Sequence, residues 1–206
     1  MNQIAIIDYG VGNLFSLASS LASIGAGVTV TSDADTLRRA DKLILPGVGA
    51  FADAARKLRE SGLDAVIREE AAAGKPLMGI CLGMQMLFER SYEYGEHEGL
   101  GLLRGEVVPM EGRIPADLKI PHIGWNALHF TRNDSLFRYI RENDCVYFVH
   151  SYYASGCGDS VIATAEYGAE LTAAVRKGNV MGCQFHPEKS GRVGLAILRA
   201  FCEGVD

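Results

Sequence analysis

The chain has 206 residues, enough to bury one substantial hydrophobic core and too few for two full domains. Hydrophobic residues make up 48% and charged residues 22%, ordinary proportions for a soluble globular protein. A formal net charge of -5 with no Lys/Arg cluster argues against a general nucleic-acid binder, and no apolar run reaches the length of a membrane span.

The opening residues, MNQIAIIDYG, lack a basic leader and run straight into a strand over 4–8, so no signal peptide is expected. A turn, Gly10-Val11-Gly12-Asn13, follows. Leu14, Leu17, Leu21 and Ile24 then recur at helical spacing up to Gly25. Position 15 is Phe, so the third glycine of a dinucleotide fingerprint is missing and the turn does not read as a phosphate loop. Strands are expected over 28–31, 42–45 and 77–80, with helices over 50–60, 63–73 and 82–90. This β-α-β alternation implies a parallel sheet with helices on both faces. The second half offers strands over 105–109, 123–130, 145–149, 161–166, 171–176 and 180–184, read as antiparallel additions to the sheet, and a closing helix over 191–202. The expectation is one three-layer α/β domain over 1–206 with a mixed, mostly parallel sheet. Ligands in such sheets bind at the carboxyl ends of the strands.

The five cysteines are odd in number and scattered, with no CxxC pair, so neither a disulfide framework nor a zinc site is expected. The reducing cytoplasm is the compartment this suggests. Cys145 and Cys183 lie in strand patterns and read as core, Cys202 lies in the last helix, and Cys157 sits in a Gly-rich loop where exposure is possible. Cys81 differs. Gly79-Ile80-Cys81-Leu82-Gly83 sits between a strand and a helix, as a nucleophile elbow does. Such a turn is strained, and side chains at its flanks would clash with the crossing backbone. It would set the sulfur at a helix N-terminus, whose dipole favours thiolate, and leave the Leu82 N–H free for an oxyanion. Alone, this pattern fits a buried structural cysteine equally well.

Residues 184–188 read Gln184-Phe185-His186-Pro187-Glu188, after a strand. A histidine at a strand end can take a thiol proton and return it to a leaving amine, and a carboxylate two residues on can hold its tautomer. His97 and His129 read as surface residues, and His122 and His150 lack a carboxylate nearby in sequence. Trp125, the only tryptophan, follows Gly124 and precedes Asn126 in a strand of mixed polarity, where an interfacial role is plausible.

The pairing of GICLGMQ at 79–85 with FHPE at 185–188 resembles the class I (triad) glutamine amidotransferases, a flavodoxin-like fold. Within that class, four further blocks are similar to the glutaminase subunits of imidazole glycerol phosphate synthase. They are PGVGAF at 46–51, KIPHIGWN at 119–126, YFVHSYY at 147–153 and HPEKSG at 186–191. The resemblance implies that Cys81 attacks the side-chain amide of glutamine to form a γ-glutamyl thioester, and that His186 and Glu188 complete the triad. Gln85 and Glu93 would contact the glutamine, and the backbone around His150 and Ser151 would hold its α-amino and carboxylate ends. Val48, Gly49 and Leu82 would frame the oxyanion hole. No cofactor or metal is implied. The implied partner is a (β/α)8-barrel cyclase, met by Asn13, Trp125, Tyr147 and Lys189, which would take ammonia to a phosphate-bearing substrate.

Many amidotransferases carry Gly-Gly-Pro-Gly where this chain has Pro46-Gly47-Val48-Gly49. A valine N–H must then turn inward to complete the oxyanion hole, and flanking glycines make that flip easy. Low activity without the partner is the expectation. Three other readings stay open: a glutaminase subunit of another pathway such as pyridoxal phosphate synthesis, a free-standing γ-glutamyl or peptide hydrolase, and a silent regulatory subunit.

Overall fold

Ile4 and Ile6 face one side of the first strand, Ala5 and Ile7 the other, and all four are fully buried. A strand apolar on both sides needs cover on both faces, which a parallel α/β sheet supplies. The computed structural model describes residues 3–204. Met1, Asn2, Val205 and Asp206, the ends of the expected 1–206 domain, lie outside the described residues.

Strand β1 (Gln3–Ile7) leads through α1 (Leu14–Ser23) to β2 (Gly27–Thr31), and α2 (Ala34–Arg39) returns the chain to β3 (Lys42–Leu45). Two helices, α3 (Phe51–Glu60) and α4 (Leu63–Ala72), precede β4 (Leu77–Ile80), and the short α5 (Leu82–Met86) follows it. Then come β5 (Arg90–Ser91), β6 (His97–Glu98), β7 (Glu106–Pro109), β8 (His122–Ala127), β9 (His129–Phe130), β10 (Cys145–His150) and β11 (Tyr152–Ser155). β12 (Val161–Glu166), β13 (Glu170–Lys177), β14 (Val180–Cys183) and α6 (Gly191–Glu203) complete the chain.

The main sheet has eight strands in the order β2-β1-β3-β4-β14-β13-β12-β9, parallel from β2 to β14 and antiparallel beyond. Leu17 and Leu21 of α1 and Ile197, Leu198 and Phe201 of α6 cover the face that carries Ile4, Ile6, Ile44 and Met78. Leu37, Phe51, Leu58, Leu63 and Ile67 cover the opposite face. Lys42 is buried, and its Nζ donates to the carbonyls of Phe201 at 2.7 Å and Cys202 at 2.9 Å, tying the last turn of α6 to the sheet. No helix among the described residues is long and apolar enough to cross a membrane.

In the second half β12 and β13 extend the main sheet antiparallel, as expected, and other strands depart from that expectation. β14 is parallel to β4, while β7, β8 and β10 leave the main sheet altogether. The strand expected over 123–130 breaks at the fully buried Leu128, whose N–H donates to Asp144 O at 3.1 Å. Before that break β8 pairs with β10; after it β9 joins β12. β7 pairs instead with β11 and β5. The helix expected over 82–90 stops at Met86, because the backbone N–H groups of Leu100, Leu102 and Gly101 take the carbonyls of Met86, Leu87 and Phe88. Cys145 is exposed rather than core, at the first position of its strand, and Cys157 is buried rather than exposed. Helix α2, too short for a periodic signal, is set by Asp33, whose carboxylate accepts from Thr36 N at 2.8 Å.

Phe201 joins α6 to the sheet core with no solvent exposure. Phe201→Ala should therefore lower unfolding free energy by about 3–5 kcal/mol in urea titrations. A loss below about 1 kcal/mol would show that α6 is not cooperatively docked.

Candidate active site

β4 delivers Cys81 onto a backbone turn with φ 54° and ψ -110°, a left-handed conformation unusual for a residue with a side chain. Cys81 is held there by its N–H, which donates to Cys183 O at 2.8 Å, and by its carbonyl, which accepts from Gln85 N at 3.1 Å. The crossing is close. A Cβ on Gly83 would lie 1.8 Å from Leu45 O, and one on Gly79 would lie 2.6 Å from Gly83 O. Only glycine fits at either position, because backbone atoms occupy the space.

The parallel pairing of β4 and β14 sets Cys183 beside Ile80, so the chain leaves both strands at the same edge. His186 therefore arrives next to Cys81. Its N–H donates to Tyr147 O at 2.9 Å, and its carbonyl accepts from Ser190 Oγ at 2.6 Å. His186 Nδ1 lies 2.8 Å from Glu188 Oε1, with both side chains at most 4% exposed. A carboxylate here accepts, so Nδ1 carries the proton and Nε2 is left to serve Cys81. Burial disfavours the imidazolium. The hydrogen bond and charge of Cys81, with those of Glu188, more than offset it and push the His186 pKa up to about 9.

These groups open on a cleft of about 310 Å³ lined by Val48, Gly49, Cys81, Leu82 and His186 on one side and by Gln85, Glu93, His150 and Ser151 around them. That volume is at the small end for ligand sites and suits an amino acid. Larger clefts beside Arg132 and Arg176, and beside Ser23 and Gly27, are lined by none of Cys81, His186 and Glu188. Gln85 Nε2 donates to Tyr152 O and to Gln184 Oε1, each at 3.0 Å. Glu93 Oε2 accepts from Phe51 N at 2.6 Å, so it caps α3 just after the Pro46–Gly49 segment. Val48 is 41% exposed, and Gly49 has φ +94° with open space where a side chain would stand. His150 is buried, and burial chiefly drives its pKa down to about 3. Among the described residues no group of three or more His, Cys, Asp or Glu could hold a metal.

Trp125 and Tyr147, partners across β8 and β10, meet edge to face with centroids 6.1 Å apart, and Trp125 is 58% exposed. Lys189 is exposed on the turn after Glu188, and α1, which begins at its cap Asn13, lies against that turn. The four residues thus flank the strand ends that carry Cys81 and His186.

Two neighbours of the sulfur escaped the sequence reading. Gln184 Nε2 donates to Cys81 Sγ at 3.7 Å. Tyr9 OH donates to Pro46 O at 2.7 Å, and burial, followed by the charge of Cys81, raises its pKa. A polar residue ending a buried strand was the available signal for Gln184; Tyr9 had none beyond its place after β1.

The model of the family described as glutamine amidotransferase class-I matches residues 5–204. The chain belongs to that family. It is 49% identical over 206 residues, all of both chains, to the imidazole glycerol phosphate synthase subunit HisH of Lactococcus lactis subsp. lactis (strain IL1403). It is 52% identical over 202 residues, 97% of this chain and 95% of the relative, to the subunit of that name in Bacillus licheniformis (strain ATCC 14580). A crystal structure described as glutamine amidotransferase superposes with TM-score 0.76 over 97% of each chain at 22% identity, a likeness of fold. This class-I amidotransferase is thus an enzyme, and its fold brings Cys81, His186 and Glu188 together beside one cleft.

The raised His186 pKa has a sign that can be measured. Its stabilising contribution is complete below the ordinary histidine value of about 6.5 and is lost as pH rises through about 9. By NMR titration His186 should titrate near 9, and in Cys81→Ser it should fall back toward the ordinary range. An identical midpoint in both proteins would show that the sulfur does not hold the imidazolium.

Proposed function

We propose that this chain is the glutaminase subunit of imidazole glycerol phosphate synthase and acts as one domain spanning the chain. The reading rests on one juxtaposition above all: Cys81 at a strained elbow, beside an imidazole raised to about 9, in a cleft of amino-acid size. The Cys81 sulfur attacks the side-chain amide carbon of glutamine. The oxyanion that forms is held by the Leu82 N–H and by an N–H of the Val48-Gly49 segment. His186 gives its proton to the departing ammonia, leaving a γ-glutamyl thioester, and then draws a proton from the water that releases glutamate. Glu188 orients His186 throughout. Gln85 and Glu93 contact the glutamine, and the His150-Ser151 backbone holds its amino-acid end.

In this proposal the ammonia passes to a (β/α)8-barrel cyclase subunit as a heterodimer partner in the cytoplasm. There it reacts with a phosphoribulosyl formimino-carboxamide ribonucleotide, giving imidazole glycerol phosphate and an aminoimidazole carboxamide ribonucleotide, a lyase step of histidine biosynthesis. Asn13, Trp125, Tyr147 and Lys189 form the docking face. The relatives' names and the exposed Trp125, paired with Tyr147 beside the triad, support this partner over a free-standing hydrolase.

Cys81→Ser should cut glutamine hydrolysis by about 10³-fold or more, while the complex supplied with ammonium salt still forms imidazole product. Glutamine-dependent turnover at the wild-type rate would refute the assignment.

Docking is expected to raise glutaminase activity by about 10²–10³-fold, the worth of one oxyanion donor. Trp125→Ala and Lys189→Ala should loosen that coupling, so that glutamate forms in excess of imidazole product. Wild-type stoichiometry and stimulation in both variants would remove these residues from the coupling.

A further inference from the structure

The side chains of one buried histidine pair at the cleft have no part in the mechanism above. His122 and His150 stand directly opposite each other across the β8–β10 ribbon, 3% and 6% exposed. His150 Nδ1 lies 2.9 Å from Tyr152 O. A carbonyl oxygen can only accept, so that nitrogen carries a hydrogen. His150 Nε2 lies 3.1 Å from His122 Nδ1. Burial holds both rings below the ordinary histidine pKa, so both are neutral and each has one hydrogen. His150 Nε2 must therefore accept, and His122 Nδ1 must donate. That leaves His122 Nε2 as an acceptor, 3.5 Å from Asn126 Nδ2, which also donates to Glu166 O at 2.7 Å. The direction of every hydrogen bond from Asn126 to Tyr152 is set by this logic. The His122 ring is also clamped on both faces, stacked on Tyr167 at 4.1 Å and on Phe148 at 5.0 Å between centroids.

We infer that His122 is a positioning residue of the glutamine site: its Nδ1–H fixes the His150 side chain and, through it, the His150-Ser151 backbone in the cleft wall. His122 itself does not line the cleft, so it acts through His150. The outer face of the same strand carries Ile123 and Trp125, each 58% exposed, so His122 links that face to the cleft. The inference rests on the glutaminase reading. It predicts a defect in gripping the amino-acid end of glutamine, remote from the reacting amide. Loss of such a grip raises KM more than it lowers kcat.

The test uses the complex with its cyclase subunit and nucleotide, and two variants. His122→Phe keeps the ring stack and removes the donor, leaving His150 Nε2 buried without its hydrogen bond. His122→Asn sets an amide where Nδ1 was and can restore it. His122→Phe should raise the KM for glutamine about tenfold with kcat within about threefold, and His122→Asn should return KM to within about threefold of wild type. Nitrogen-15 NMR of the wild-type chain should show both rings protonated at Nδ1 and bare at Nε2. An unchanged KM in His122→Phe, equal losses in both variants, or a His150 protonated at Nε2 would each overturn the inference. If His122→Phe does not fold, the KM of His122→Asn and the wild-type tautomers decide it. A wild-type complex that releases no glutamate from glutamine would instead overturn the glutaminase reading, and this inference with it.

Discussion

The crossing of α5 over the end of β3 is the contact from which the site is built. Gly83 passes so close to Leu45 O that no side chain can intervene, and Cys81 takes a positive φ to make the passage. A left-handed non-glycine residue costs on the order of 1–3 kcal/mol and persists only when its surroundings over-determine it. Here the determinants are the flanking strands. β4 lies between β3 and β14, and the hydrogen bond from Cys81 N to Cys183 O extends that parallel pairing one residue past the strand end. The strain at Cys81 and its alignment with His186 have a common origin, since the pairing that holds the elbow also delivers His186.

Electrostatics follow from that placement. His186 and Glu188 are almost wholly buried, where a lone imidazolium would lose its proton. The raised pKa means that attraction from the sulfur and the carboxylate outweighs this burial. His150, lining the same cleft, is also buried; burial, with the charges of His122 and His186, drives it to about 3. Two histidines in one cleft are therefore separated in proton affinity by their partners. The one beside the sulfur and the carboxylate holds its proton, and the other stays neutral.

The elements legible in the sequence are those whose apolar pattern is local. The alternation from β1 to β4 follows from buried runs punctuated by glycine and proline, and the elbow was visible because its steric demand leaves glycines at fixed spacing. The pairing of His186 with Glu188 was legible because the two are neighbours in the chain. The ribbon of β8 and β10 was not, because its separation from the main sheet is decided by Leu128 turning to bond Asp144. The short strands β5 and β6 depend on backbone pairing over two residues, too brief for any periodicity. Gln184, Tyr9 and the bond from Glu93 to Phe51 arise from segments far apart in sequence, so no local pattern announces them. Motif resemblance supplied Glu93 as a cleft residue; its helix-capping bond became visible only in three dimensions.

That bond bears on where control can reside. His186 and Glu188 are already hydrogen-bonded at 2.8 Å in the chain by itself, so that pair has little left to assemble. The proposed oxyanion segment is different. At one end, Pro46 O is held by Tyr9, and at the other, Phe51 N is held by Glu93. Between these anchors Val48 is partly exposed and Gly49 has free space around it. A peptide between two pinned ends can rotate without moving either neighbour, since φ and ψ on its two sides change in opposite senses. Such a rotation leaves the sulfur, the imidazole and the cleft wall where they are and changes only which backbone dipole faces the amide oxygen. A switch of that kind acts on the transition state more than on bound substrate, because the negative charge it answers exists only there.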